Sequence, residues 1–431
     1  MAPFFMKKKI LKFSKRPFVK NIAIVATGTI AVQAIGIVSS PFITRIYGPI
    51  AYGLLGVFVA LTSIITPVAT LTYVTAIILP AQKKAAIGVA RLSLFLGVVI
   101  TVIFTIIITV FKDTIVLIFQ LQDIEPYIFF IPIVIFFGAI TQVYNQWLIR
   151  ENQYKDIART SIIQSLIVNV LKIGVGIFHA TAGILIFIVS LGQILYAQLF
   201  KSVTSQEVRQ ELKLKIIFSR KVSQDHVSLG KKFQDFPLYR APQVLLNGFA
   251  KGIPILMLAH FFGPAAAGFY SIGNRVLQMP AGIIGKSIGN VYYPRIARAA
   301  NNEENLKPYI LKATLGMAWL AFVPFVTIVI LGPWLFKIIF GSDWATAGHY
   351  SRWLSFLVFF EFILHPSKDA IIVMGDQKYL LLFEVISLLF KTGALFFGLL
   401  YLNSDLSAII VFSFTGVLLS ILLMILTYYR G

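Results

Sequence analysis

The sequence of 431 residues contains no cysteine, so disulfides and thiol chemistry are excluded. It is also poor in acids, with 17 Asp and Glu against 38 Lys and Arg. Polar stretches are rare, and the long one covers residues 201–234. What the chain has in abundance is apolar surface, since 58% of its residues are hydrophobic and 14% are aromatic. Soluble domains of this length do not have such a composition, which predicts a polytopic membrane protein.

Twelve apolar stretches are long enough to cross a bilayer core of roughly 30 Å. Their predicted bounds are 21–44, 53–79, 87–111, 126–149, 160–178, 181–200, 237–259, 265–293, 309–332, 346–367, 379–401 and 406–429. The basic residues 1–20 lack a short apolar region with a cleavage site, so they are interpreted as a cytosolic segment and not as a signal peptide. The expected fold class is an all-α membrane protein with twelve transmembrane helices.

The basic residues are unevenly distributed over the connecting segments. If the amino terminus is inside, the cytosolic segments contain most Lys and Arg, while the outer segments hold little beyond Arg45, Lys112 and Lys337. This asymmetry predicts that both termini lie in the cytoplasm. The net charge of +21 is then explained by membrane topology and lipid contact, and nucleic-acid binding is not expected.

The polar segment divides the predicted spans six and six. We therefore predict four regions: a cytosolic basic segment (1–20), an N-terminal six-helix bundle (21–200), a cytosolic linker (201–236) and a C-terminal six-helix bundle (237–431). The two halves also resemble each other, because YGPIAYG at 47–53 recurs as FGPAAAG at 262–268, an offset of 215 (263 − 48). Pro80 and Pro294 repeat with an offset of 214 (294 − 80).

Matches in the same order at a near-constant offset indicate two pseudo-symmetric bundles, related by an axis along the membrane normal, around a central cavity. The alternative is that each Gly-Pro pair only marks a tight turn.

Two predicted spans carry the same polar pattern, Arg-x-x-Gln-x7-Lys. It reads RAPQVLLNGFAK at 240–251 and RVLQMPAGIIGK at 275–286. Eleven residues turn an α-helix by about 1100°, only about 20° beyond three full turns, so the basic ends of each pattern share a face. The polar members of the two faces are Arg240, Gln243, Asn247 and Lys251 on one helix, and Arg275, Gln278 and Lys286 on the other.

Lipid does not solvate such stripes, so they are predicted to line a cavity between the halves. Neither span contains an acid, and an unpaired basic cavity indicates an anionic ligand such as a phosphate or pyrophosphate. The alternative is that these side chains snorkel to the interface or pair with acids elsewhere.

Other charges within the predicted spans are less specific. Lys172, near the middle of the fifth span, is a further candidate for the cavity. Glu361 and His365 are spaced i, i+4 and are candidates for proton or cation coupling, or alternatively for an ion-paired structural patch. Glu384 and Lys391 are spaced i, i+7 and are expected to pair with each other.

The residues of several segments resemble the bacterial lipopolysaccharide-biosynthesis flippases of the multidrug/oligosaccharidyl-lipid/polysaccharide (MOP) exporter superfamily. The segments that carry the resemblance are TRIYGP (44–49), AYG (51–53), FPLYRAPQ (236–243), LN (246–247), PIL (254–256), FGP (262–264), AGFYS (267–271) and RVLQMP (275–280). The resemblance implies a V-shaped, MATE-like fold of two six-helix bundles in the bacterial inner membrane. It also implies export of undecaprenyl-pyrophosphate-linked oligosaccharide by alternating access, with membrane lipids and polysaccharide polymerase or chain-length proteins as partners.

Within that superfamily, Arg275 matches in position the cavity arginine that lipid II flippases carry in their eighth span. The second span here contains no arginine, unlike those flippases, so an O-antigen, capsule or exopolysaccharide precursor is expected rather than a peptidoglycan precursor. No cofactor is expected. Protons, sodium or the membrane potential are the candidate driving forces.

Two other functions fit the class of protein. A cation-coupled multidrug exporter of the same fold would need acids in its cavity to meet cationic drugs, and Glu361 is the main candidate for that role. A membrane enzyme acting on the same lipid would need paired carboxylates or a metal site, but the acids of the short outer segments are scattered and the five histidines form no ligand cluster.

Overall fold

The computed structural model describes residues 17–302 and 304–430, without the side chains of 17–23, 214, 220–225, 280, 283–291, 293, 294, 297, 300 and 301. All regular elements in these ranges are helical. The helices of the first half and the linker are α1 Pro17–Ile65, α2 Lys83–Phe119, α3 Phe130–Arg150, α4 Tyr154–Gly176, α5 Ala182–Val203, α6 Gln206–Glu211, α7 Leu214–Ile217 and α8 Arg220–Lys232. Those of the second half are α9 Ala241–Phe262, α10 Pro264–Asn301, α11 Lys307–Phe340, α12 Ala345–Ile363, α13 His365–Val373, α14 Gln377–Tyr401 and α15 Asp405–Arg430.

The long helices correspond to the predicted spans. Helix α1 contains spans one and two, which meet at Gly48, where φ is 67° and ψ is 176°. With α1 counted as two, the described part of the chain has twelve long helices, as predicted. Nine helical segments of that part are long and apolar enough to cross a bilayer. The protein is therefore a multi-pass, all-α membrane protein.

The second span departs from the prediction, because its α-helix ends at Ile65 rather than near residue 79. The chain continues through two 3₁₀ segments, Thr66–Val68 and Tyr73–Ile78, and both Leu71 and Thr72 have positive φ. Pro67 explains the break, since proline has no N–H to donate and its ring clashes with the preceding turn. Backbone of this kind is tolerated in a membrane only where protein satisfies its polar groups.

Two side chains of α3 satisfy carbonyl groups of the broken stretch. Gln142 donates from Nε2 to the Thr66 carbonyl at 2.7 Å. Arg150 donates from Nη1 to the carbonyls of Ile77 and Ile78 at 3.1 Å, and from Nη2 to that of Ala81 at 3.3 Å. The guanidinium of Arg150 therefore substitutes for the missing helical hydrogen bonds.

Replacing Arg150 by alanine is expected to lower the free energy of unfolding by about 2–3 kcal/mol, because several carbonyls lose a charged donor at once. Thermal unfolding of the purified protein in detergent measures this effect. Arg159→Ala is the matched control, since Arg159 is exposed on α4 and makes no polar contact in the described part of the chain. Equal unfolding temperatures for the two variants would show that Arg150 serves only as a topogenic charge.

The chain divides into two compact units. The first comprises residues up to Ile46, Leu61–Leu117 and Leu121–Gly248, and the second comprises Tyr47–Ala60, Ile118–Gln120 and the chain from Phe249 onward. The core of the first unit includes Ile77, Ala90, Trp147, Leu148, Phe200, Val208 and Leu212. The core of the second includes Leu258, Tyr270, Leu277, Tyr350, Leu354, Phe362, Leu395 and Phe412.

The linker packs onto the first unit. Tyr73 donates from its hydroxyl to the Gly230 carbonyl at 2.9 Å, and Thr72 donates to the Phe236 carbonyl at 3.0 Å. Arg91 forms an ion pair with Glu211. Val208 is fully buried, so a residue of the linker forms part of this unit's core.

Candidate cationic substrate site

The polar stripe predicted on the seventh span is exposed. Arg240 ends a short π-helical turn, Phe236–Arg240, and α9 follows directly. The side chains of Arg240, Gln243, Asn247 and Lys251 are all exposed, and none of them has a hydrogen-bond or ion-pair partner among the described residues. Leu258 and Ala259, which are fully buried, lie closer than Lys251 to the end of α9 at Phe262.

The described residues of the polar stripe on the eighth span are also exposed. In α10, Arg275 and Gln278 are exposed, whereas Leu277 between them is fully buried. Gly282, on the same face, is also exposed, and a Cβ on it would have no atom of the described residues within 4 Å. Lys286 is part of α10, but its side chain lies outside the described residues, so its alignment with Arg275 stays a prediction.

Lys251 and Arg275 lie at equal depth along two consecutive helices. The turn between α9 and α10 is at Gly263, where φ is +82°, and each cation is 12 residues away from it (263 − 251 and 275 − 263). Twelve residues of helix correspond to about 18 Å, more than half the thickness of a bilayer core. Both cations are therefore far from the end of the helices that carries the turn.

Arg275 has one protein partner in the described part of the chain. Its Nη1 donates a hydrogen bond to the hydroxyl oxygen of Tyr52 at 3.1 Å. A phenol is neutral, so this contact orients the guanidinium without compensating its charge. Since a guanidinium has five N–H donors and Arg275 is exposed, most of its donors are available to an anionic group.

Tyr52 is held by close packing within the second unit. It is buried, and its ring meets that of Trp344 edge-on at a centroid distance of 5.6 Å. The neighbouring Gly53 lies so close to α10 that a Cβ at this position would be 1.7 Å from the Pro264 carbonyl oxygen. A Cβ on Gly268 would be 2.3 Å from the Pro49 carbonyl oxygen. The two repeated motifs of the sequence therefore pack backbone against backbone.

This packing gives the motif at 47–53 a role that the sequence analysis missed. The repeat was apparent in the sequence, and Gly48 and Gly263 both have positive φ at corresponding positions. The hydroxyl of Tyr52, which has no counterpart in the second copy, was not identified as a partner of Arg275. Only the fold brings residues separated by 223 positions together.

Lys172 belongs to α4 and to the first unit, where it is half-buried. It is therefore on a different unit from Lys251 and Arg275, and its assignment to the cavity stays a prediction.

The predicted pairing of Glu384 with Lys391 is wrong. Lys391 Nζ instead lies 3.0 Å from Glu361 Oε1, and Lys368 Nζ lies 3.3 Å from Glu384 Oε1. The physical reason is distance, since residues seven apart are separated by about 10 Å along a helix while a packed neighbouring helix is closer. Two ion pairs therefore join α14 to α12 and α13.

Glu361 and His365 are both engaged by protein groups. Glu361 is paired with Lys391, as described, and His365 Nδ1 lies 3.1 Å from the carbonyl oxygens of Glu361 and Phe362. His365 thus contacts the last turn of α12 where the chain passes into α13. Ion coupling through these two residues stays a prediction, and their described contacts also suit the structural alternative.

Exchanging the charges of Glu361 and Lys391 tests whether their ion pair is structural. Glu361→Lys and Lys391→Glu are each expected to lower the unfolding temperature, because each places two like charges side by side. The double variant should recover most of the loss. A double variant that remains as unstable as the singles would show that the pair contributes little, which leaves Glu361 free for ion coupling.

Comparisons with known proteins agree with this architecture. Residues 42–349 match the model of a family described as polysaccharide biosynthesis protein. No curated protein sequence matches the chain.

Three solved structures show the fold. The lipid II flippase MurJ, in an inward closed conformation, superimposes with a TM-score of 0.73 at 12% identity, over 95% of this chain and 88% of that one. An inward-facing multidrug resistance MATE transporter of the MOP superfamily superimposes with a TM-score of 0.72 at 14% identity, over 96% of this chain and 98% of that one. A MOP superfamily transporter from Pyrococcus furiosus, described as having a binding pocket of reverse polarity, superimposes with a TM-score of 0.51 at 13% identity, over 96% of this chain and 93% of that one.

The family match covers more than half of the sequence, and the structural matches cover nearly all of it. The chain therefore belongs to the polysaccharide biosynthesis protein family and has the fold of the MOP superfamily of transporters and flippases.

Proposed function

We propose that this protein flips undecaprenyl-pyrophosphate-linked oligosaccharide units across the bacterial inner membrane by alternating access. The units would be precursors of O-antigen, capsule or exopolysaccharide. The headgroup would contact the cationic residues, while the polyprenyl tail stays in the lipid. No bond is made or broken in this process, so the protein needs no catalytic residue.

The observation that carries the proposal is the state of Arg275. It lies in α10, 12 residues from the turn at Gly263, it is exposed, and its partner in the described part of the chain is the neutral hydroxyl of Tyr52. Lys251 lies at the same distance from the turn at Gly263 and has no hydrogen-bond or ion-pair partner among the described residues. An uncompensated cation within a membrane is costly, and such residues mark substrate pathways. Bidentate contacts from arginine and a point charge from lysine suit a pyrophosphate.

The fold and the family add independent support. The family is named for polysaccharide biosynthesis, and MurJ, which shares the fold, is a lipid II flippase. The lack of an arginine in the second span favours a substrate other than lipid II. Both termini would be cytoplasmic, and a polymerase and chain-length proteins would use the exported unit.

A multidrug exporter is the second candidate, since MATE transporters share the fold. Cationic drugs require carboxylates that can meet them, but the carboxylate of Glu361 is already paired with Lys391. The exposed charges at Lys251 and Arg275 would repel such drugs. Under this alternative, Glu361→Gln should abolish export of cationic dyes and Arg275→Ala should not.

Flipping in proteoliposomes separates the two functions. Undecaprenyl-pyrophosphate oligosaccharide is placed in both leaflets, and an external sugar-modifying enzyme reports how much of it becomes accessible. We expect nearly complete modification with the protein and about half without it, since a bilayer has two leaflets of equal area. If the lipid stayed protected while the same vesicles transported cationic dyes under a sodium or proton gradient, the protein would be an exporter.

A further inference from the structure

A cavity of about 690 Å³ lies in the first unit, where the linker meets α2, α3 and α5. It is separate from the residues assigned to transport. Its lining from α2 and α3 is largely apolar and includes Leu94, Val98, Phe136, Phe137 and Ile140. Its lining from α5 and the linker carries the cations Lys201, Arg209 and Lys213, together with three glutamines. The cavity therefore has one apolar wall and one basic wall.

The short helix α6 explains how the basic wall remains uncompensated. Its two acids point away from the cavity, because Glu207 pairs with Lys83 at 2.6 Å and Glu211 pairs with Arg91. Val208, with Leu212 just beyond the helix, enters the core. The polar residues of this segment that line the cavity share one helical face, because they are three or four positions apart along the helix. They are Gln206, Arg209, Gln210 and Lys213.

Arg209 has an unsatisfied hydrogen-bond donor. Its Nε is shielded from solvent and has no hydrogen-bond partner, although buried donors are almost always satisfied. Within the described part of the chain, no acid pairs with Arg209, Lys201 or Lys213. Since Arg209 lines the cavity and no described acid compensates its guanidinium, an anion in the cavity would gain charge-assisted hydrogen bonds from it.

From this geometry we propose that the cavity is a binding site for an anionic membrane phospholipid. The phosphate would accept hydrogen bonds from Arg209, with Lys213 and Lys201 beside it. An acyl chain would lie along α2 and α3. Lys201 is in the last turn of α5, so the basic end of the cavity is at the end of a membrane helix, where headgroups lie.

The apolar wall distinguishes a lipid from a free anion. Phe136 and Tyr144 both line the cavity, and their separation of eight positions along α3 corresponds to about 12 Å. A phosphate ion would leave this surface uncovered, whereas an acyl chain covers it and gains the free energy of burial. The bound lipid would join the linker to the first unit, and its headgroup would stabilise this contact.

Native mass spectrometry of the full-length protein tests the proposal, with dioleoyl phosphatidylglycerol as the probe. We expect one phosphatidylglycerol to be retained with higher affinity than phosphatidylcholine. Arg209→Gln/Lys213→Gln should weaken that binding by about tenfold or more for each cation removed, since a hydrogen bond to a charged group contributes about 1.5 kcal/mol or more. The control is Lys215→Gln/Lys231→Gln, which removes the same charge from exposed linker positions outside the cavity lining and should leave binding within about twofold, a small fraction of the effect of one charged hydrogen bond.

A second variant tests the apolar wall without a change of charge. Val98→Trp fills the cavity next to the acyl chain, so it should also weaken retention of phosphatidylglycerol. Equal loss of binding in the control pair would show a nonspecific charge effect and overturn the proposal. Displacement of the lipid by inorganic phosphate would do so too, because the site would then take a free anion. Retention of undecaprenyl pyrophosphate in place of phosphatidylglycerol would assign the cavity to the transported lipid and reject a phospholipid site.

Discussion

Flipping is expected to fall by about a hundredfold or more when Arg275 and Lys251 are both replaced by alanine, since each replacement removes charge-assisted hydrogen bonds of about 1.5 kcal/mol or more to the pyrophosphate, roughly tenfold for each cation. The unfolding temperature in detergent should change little. Both side chains are exposed, and Arg275 loses only a hydrogen bond to a neutral hydroxyl. The measurement is the initial rate of flipping in proteoliposomes, with thermal unfolding of the same preparation.

The control for this pair is Lys312→Ala/Lys378→Ala. It removes the same charge from exposed positions of the second unit and should preserve transport. Arg275→Lys should have intermediate activity because it keeps the charge and loses the planar fork. A large fall in unfolding temperature for the Arg275 and Lys251 pair, with transport per folded molecule unchanged, would instead assign these residues to helix packing.

Tyr52→Phe separates positioning from binding. It removes the oxygen that accepts from Arg275 and preserves the aromatic ring that packs on Trp344. We expect the concentration of lipid at half-maximal flipping to rise several-fold and the unfolding temperature to stay near that of the wild type. A variant that flips as well as the wild type at all lipid concentrations would show that Arg275 needs no orientation by Tyr52.

The largest effect on stability is expected from Gly53→Ala. A Cβ at this position would lie 1.7 Å from the Pro264 carbonyl oxygen and 3.0 Å from the Gly268 nitrogen. Both are backbone atoms, so no side chain can move aside and the helices must separate. Overpacking of this kind destabilises by roughly 3 kcal/mol or more, and it also pulls Tyr52 away from Arg275. Thermal unfolding in detergent, followed by the transport assay, measures both consequences.

Gly174→Ala is the matched control for Gly53→Ala. Gly174 is also helical, but a Cβ there would meet no atom of the described part of the chain within 4 Å. The control should be neutral or should stabilise by up to about 1 kcal/mol, because alanine is the better helix former. If Gly53→Ala were as stable as Gly174→Ala, the close approach of the two repeated motifs would not exist in the folded protein.

The spans were predictable because membrane crossing depends on length and composition, which are local properties. The same holds for the exposed stripes, since the 3.6-residue period of a helix places Gln243, Asn247 and Lys251 on one face in any context. The turns at Gly48 and Gly263 were also apparent, because a Gly-Pro pair marks a turn by its own backbone preferences. These features need no knowledge of which helices are neighbours.

The structure differs from the sequence-based predictions where contacts with a neighbouring helix determine the outcome. Pro67 breaks the α-helix of the second span after Ile65, and the break is tolerated because Gln142 and Arg150 of another helix satisfy the freed carbonyls. Glu361 pairs with Lys391 because two helices pack side by side, whereas the spacing within one helix suggested Glu384. In both cases the partner comes from a different helix, and no local pattern identifies it.

By itself, the sequence determined that this is a membrane protein of many helices with unusual cations in the seventh and eighth spans. Composition and periodicity are sufficient for that conclusion, because water and lipid act on each helix separately. Only the tertiary structure decided that Tyr52 orients Arg275, that the linker joins the first unit, and that Arg209 faces a cavity without a partner. Hydrogen bonds and close packing act over a few ångströms, so they depend on which distant segments the fold brings together.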